Sequence, residues 1–208
     1  MFLTKFSSSL RLAVFFGLVL IGHKLAYGHG NHGGGEFGGG FGTGFLHPIQ
    51  GLDHVVAMIA VGLWGAQLGA PAIWLLPIAF PLIMAMGAAM GLLGYSLPGV
   101  EIGIACSAIV LGLMVLLEAR PAIWVSLALV AAFAVFHGHA HGTELPKGES
   151  GLAYGLGFVL GTGLLHAAGI GIGCLGGLSW GKPCLRGAGG LVVATGVYFL
   201  ISSLGWLA

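Results

Sequence analysis

Residues 47–58 read HPIQGLDHVVAM, and the run that contains them, 45–68, is apolar enough to cross a membrane except at His47, Asp53 and His54. An ionisable side chain at mid-bilayer costs roughly 2.5–3.5 kcal/mol on insertion scales, so such a cluster marks a functional site by default. Two imidazoles, a carboxylate and the Met58 thioether one turn past His54 are the donor types that hold transition metals. One stretch thus points both to a membrane-spanning helix and to metal chemistry.

The rest of the chain agrees with the first half of that reading. Of 208 residues, 57% are hydrophobic and 6% charged, where a soluble domain carries about a quarter charged. The composition is that of an integral membrane protein. A formal charge of +1, from 7 basic and 6 acidic side chains, gives no field for nucleic acid and no surface for a large soluble domain. The 41 glycines are scattered through the apolar runs, which suits helices whose backbones approach closely in lipid.

At the N-terminus, Lys5 and Arg11 precede an apolar run at 12–21 that is too short for a hydrocarbon core of about 30 Å. Ala26-Tyr27-Gly28 supplies the small residues that a signal peptidase reads. The expectation is a cleaved signal peptide over 1–28, with an uncleaved anchor over 10–27 as the alternative. Residues 29–44 then form a Gly/His-rich, outward-facing tether. His29 and His32 lie in it beside the new amine, and short exposed histidine segments are more often inert, so they come last among the metal candidates.

Six apolar segments follow, at 45–68, 72–95, 99–118, 121–142, 152–176 and 184–207, each near the length of about 20 residues that spans a bilayer. The expected fold is an all-α integral membrane protein, six transmembrane helices in a bundle over 45–208. Pro48 and Pro121 are expected at helix starts, and Pro77 and Pro81 to kink segment two. With a secreted N-terminus, Arg120, Lys182 and Arg186 fall at the inner side and Lys147 is the basic residue of the outer loops. The positive-inside rule agrees, and both termini are expected to face outward.

In that orientation His47, Asp53 and His54 occupy the outer half of segment one, and His137, His139, His141 and Glu144 crowd the outer end of segment four. His137 and His141 share a face about 6 Å apart in rise, and Glu144 continues it, which gives a two-histidine, one-carboxylate set. His139 points away from them, toward segment one or five. His47 and His54 share a face but lie about 10.5 Å apart in a regular helix, too far for one ion. They mark successive stations unless the chain breaks near Gly51. Asp53 either ligates metal or orients a histidine of segment four through its second nitrogen. His166 lies about 21 Å below the start of segment five, deeper than either cluster, and stations at different depths suggest a path.

Taken singly, each of these residues has a plain explanation. A membrane histidine can hydrogen-bond a carbonyl on a neighbouring helix, and Met58 is as readily packing as ligand. Jointly, five costly side chains at one depth argue for a site. Glu101, Glu118 and Arg120 read as interfacial, as does Gln67. Cys106, Cys174 and Cys184 lack CxxC spacing and read as small packing residues. Gly87/Gly91, Gly157/Gly161 and Gly173/Gly177 permit close helix contacts.

His47-x5-Asp53-His54, together with Phe136-His137-Gly138-His139-Ala140-His141-Gly142-Thr143-Glu144, resembles the two signature motifs of the HupE/UreJ family of hydrogenase and urease accessory membrane proteins. The likeness extends to the signal peptide and the six-span layout. It implies a nickel permease, in some members a cobalt one, in the bacterial inner membrane. By this resemblance His47, Asp53, His54, His137, His141 and Glu144 are the metal residues; the placement of the residues, not the resemblance, adds Met58, His139 and His166 as lower-ranked members of a path. Ni2+ or Co2+ is then the transported substrate, no organic cofactor is expected, and the partners are lipid and a metallochaperone or metalloenzyme maturation system.

The residues themselves stop at a divalent transition metal, since imidazole with carboxylate suits Ni, Co, Zn or Fe. No GxxxxGK[ST] run occurs, so transport runs down a gradient, with a coupled ion, or through an energising partner. Two readings of other classes stand beside it: a metal-dependent intramembrane hydrolase, against which there is no HExxH, and a haem protein with axial histidines from segments one and four.

Overall fold

The computed structural model describes residues 40–145 and 148–206. The expected signal peptide, His29, His32 and most of the tether lie outside the described residues. Within them the chain is helical: α1 Phe41–Gln50, α2 Leu52–Leu68, α3 Ala72–Leu92, α4 Val100–Leu116, α5 Ile123–Thr143, α6 Gly151–Cys174 and α7 Gly181–Ser203, with a 3-10 turn at Leu175–Gly177. Four stretches, Ala72–Leu92, Ile123–Thr143, Gly151–Gly177 and Gly181–Ser203, are each long and apolar enough to cross a membrane. α4 is apolar with 17 residues.

The first expected span is not one helix. α1 and α2 meet at Gly51 with a bend of 85°. Pro48 sits inside α1 rather than at a helix start, so the Gly44 carbonyl receives no amide from it, and the helix stops two residues later. Gly51 is extended, at φ −93° and ψ 115°, and begins α2. A Cβ there would lie 2.8 Å from Asp53 Oδ1 and 3.0 Å from His54 Nδ1, so glycine both breaks the helix and leaves room for the pair beside it. Pro121 precedes α5 by two residues, and Pro77 and Pro81 lie within the continuous α3.

Packing follows the glycines. The most extensive helix pairs are α3 with α5, α4 with α7, and α2 with α6. Gly87 and Gly91 of α3 face the backbone of α5, and Gly138 and Gly142 of α5 face that of α3, where an added methyl would overlap the Met84 and Ala88 carbonyls. Gly157 and Gly161 meet α1 in the same way, and Gly173 meets α2, while Gly177 faces open space. The first two glycine pairs are thus internal contacts of this chain.

α2 lies at the centre, touching α3, α4, α6 and α7, and buries Ala57, Met58, Ala60, Val61, Leu63 and Trp64. Its far end is tied to the end of α4 and the chain just after it, because Gln67 Nε2 donates to the Val115 carbonyl at 3.1 Å and Trp64 Nε1 to that of Ala119 at 2.9 Å. Large apolar side chains such as Trp74, Leu82, Met86, Trp124 and Leu191 point outward, as suits a surface in contact with lipid. The three cysteines are free thiols.

Candidate metal centre

The site begins with the first turn of α2. Asp53 lies where a helix N-terminus favours negative charge, and its Oδ1 accepts the His54 amide at 2.9 Å. The same oxygen lies 3.0 Å from His54 Nδ1. A carboxylate accepts and does not donate, so Nδ1 carries a proton, and in the neutral ring Nε2 keeps its lone pair. His54 Nε2 is buried with no hydrogen-bond partner. A carboxylate behind an imidazole whose other nitrogen is bare is the arrangement that orients metal-ligating histidines. Asp53 thus orients its own neighbour, not a histidine of α5.

On α5 the glycines set the rotation. With Gly138 and Gly142 pressed onto α3, the adjoining residues His137 and His141 turn toward α1 and α2. Ser107 of α4 donates its hydroxyl to the Ile104 carbonyl at 2.6 Å, so toward His137 Nε2, 2.9 Å away, it is an acceptor. His137 Nε2 therefore carries the proton, and Nδ1 remains bare, buried and unpartnered. The His54 ring touches those of His137 and His141, with centroids 4.8 and 4.5 Å apart.

A second group lies beside this pair. His47 Nε2 is 3.1 Å from Glu144 Oε2, and His141 Nδ1 is 3.8 Å from the same oxygen. One ligand atom from each of His47, His141 and Glu144 falls within 4.8 Å of the others, close to the span of two metal bonds of about 2 Å. Glu144 is half exposed, at 52%, and His141 buried, at 4%, so the group runs from an open rim to a closed interior. Thr43 ties α1 to the neighbouring loop by donating to Glu149 at 2.9 Å. Phe158 and Tyr154 of α6 flank the imidazoles.

The bend at Gly51 is the chain break under which the regular-helix separation of His47 and His54 does not hold. His47 and His54 are not separate stations, since both rings contact His141, at 4.8 and 4.5 Å. The ligand atoms that come within 4.8 Å of one another belong to His47, His141 and Glu144, not to His137, His141 and Glu144, and the His137 ring, one turn back, contacts His54. His139 faces neither segment one nor five: its Nε2 donates to the Tyr95 carbonyl at 2.7 Å, fastening the end of α3. Met58 belongs to the apolar core. His166 is buried in α6, in ring contact with Phe80 at 5.5 Å.

Sequence reasoning missed Ser107, Phe80, Phe158 and Tyr154, and it set Glu101 aside. The carboxyl of Glu101 interacts electrostatically with Asp53, Glu144 and His54, which brings a third acid near the site. Its place at the start of a segment, level with the histidine clusters, was the available signal.

The family described as HupE / UreJ protein matches residues 17–199. Protein HupE of Rhizobium leguminosarum bv. viciae is 42% identical over 159 residues, covering 76% of this chain and 83% of that one. No solved structure matches.

Proposed function

The chain belongs to the HupE / UreJ family, and from that premise we propose that it is a multi-pass permease of the bacterial inner membrane. Its substrate is a divalent transition metal, nickel first and cobalt next, delivered to metalloenzyme or cofactor maturation. The observation that carries this reading is the convergence of His47, His54, His137 and His141 with Glu144, from three helices, in an otherwise apolar bundle. Bare nitrogens on His54 and His137 supply neutral imidazole donors, and the carboxylates of Asp53 and Glu144 supply orientation and charge. Uptake of trace nickel, cobalt and zinc into cells expressing the chain tests it. Nickel accumulation well above that of empty cells, reduced most by excess cobalt, is expected. Accumulation equal to that of empty cells for all three metals contradicts it.

On this reading α1 with α2 counts as one span and α4 as another, which makes six, with both termini outside. The rim bearing Glu144 then faces outward and receives the ion. Glu149 and Trp180 flank α6 at its two ends. A cysteine at Glu149 is expected to react with an impermeant thiol reagent added to intact cells, and one at Trp180 only after the membrane is opened. The reverse pattern would place the rim inside and reverse the direction of capture.

A further inference from the structure

α6 carries Tyr154, Phe158, Thr162 and His166 at four-residue intervals, all of them buried, so they form one stripe facing the interior. The stripe begins at the metal centre, where the ring centroids of Phe158 and His141 are 4.2 Å apart. His166 lies eight residues on, about 12 Å farther along the helix. There, both nitrogens of His166 and the hydroxyl of Thr162 are buried with no hydrogen-bond partner, at 1% and 0% exposure. Helical threonine can ordinarily bond the carbonyl one turn back, and Thr162 does not. The Pro77 carbonyl approaches the His166 ring. It has no helical partner of its own, because residue 81, four positions on, is a proline without an amide.

An imidazole and a hydroxyl without hydrogen-bond partners in a membrane interior, beside a carbonyl that lacks its i+4 amide, make a costly arrangement for a purely structural histidine. His139, which fastens a loop, shows the contrast, since its Nε2 is hydrogen-bonded. Phe80 stands between the two regions, with its ring centroid 5.5 Å from those of both His137 and His166. We propose that His166, Thr162 Oγ1 and the Pro77 carbonyl form a second, weaker station for the divalent metal, reached from the outer centre past Phe80. The inference rests on the metal-transport reading of that centre. One imidazole with two neutral oxygens holds a divalent transition metal less tightly than several imidazoles with a carboxylate, and conduction needs a site weak enough to leave.

The test is cobalt(II) titration of the full-length protein in lipid nanodiscs, read by visible and near-ultraviolet absorption. Wild type is expected to show a tighter and a weaker class of site. His166→Ala should lose the weaker class alone, and Thr162→Val should weaken it several-fold. His166→Cys should gain a thiolate-to-cobalt charge-transfer band that saturates with the weaker class, which a residue serving only to pack or hydrogen-bond would not produce. Retention of the weaker class in His166→Ala, or no band in His166→Cys beyond that of His166→Ala, overturns the inner station. His54→Ala separates the two readings, because it should remove the tighter class and spare the weaker. A tighter class that survives His54→Ala counts against the outer centre, while the inner station stands or falls with the His166 variants.

Discussion

On the metal-transport reading, His54→Ala is expected to abolish nickel uptake while the protein still reaches the membrane. The change removes a donor whose bare nitrogen has no other partner, and it shortens a side chain at the start of α2 rather than within its packed middle. Asp53→Asn has a graded effect: the amide oxygen can still accept from His54 Nδ1, but the charge that raises the imidazole's basicity is lost. Removing such an orienting partner typically lowers metal affinity about 10- to 100-fold. Uptake should therefore fail at trace nickel and recover in part at high nickel. Initial rates against metal concentration, normalised to membrane-inserted protein, check both. Near-normal uptake by His54→Ala removes this site from the mechanism.

Gly138→Ala is expected to lower the amount of folded protein in the membrane severely. A methyl at residue 138 overlaps the backbone carbonyl of Met84, and a carbonyl inside α3 cannot swing aside as a flexible side chain would. Overpacking of this kind costs about 1–3 kcal/mol or more, and it bears on the contact that turns His137 and His141 toward α2. Gly163→Ala is the matched control, since residue 163 meets nothing within 4 Å, and there alanine's better helix propensity should leave accumulation unchanged or raised. Immunoblots of the membrane fraction and thermal unfolding in detergent distinguish the two. Equal stability would mean that α3 and α5 do not pack through these glycines.

Much of this was legible in the chain because hydropathy is a local property. The segments read at 72–95, 99–118, 121–142, 152–176 and 184–207 match α3 to α7 within a few residues at each end. The histidines and carboxylates stood out because an apolar run makes each of them costly. What could not be read depends on partners distant in sequence. A break near Gly51 could be named from the sequence as an alternative, but one of 41 glycines does not reveal that the chain turns by 85° there, so the separation of His47 and His54 could not be fixed. Ser107 lies 30 residues from His137 and settles its tautomer, but a serine in an apolar segment carries no signal of that role. His139 failed for the same reason, since its acceptor is a backbone carbonyl 44 residues away, invisible to any side-chain pattern.

X-ray absorption at the nickel edge, on protein loaded with one equivalent of Ni2+, tests the central claim most directly. The expected result is a first shell of nitrogen and oxygen at about 2.0–2.2 Å, with the outer-shell scattering of at least two imidazoles, and loss of imidazole scattering in His54→Ala and His141→Ala. A shell of oxygen donors alone, or an imidazole signal unchanged in both variants, would contradict it.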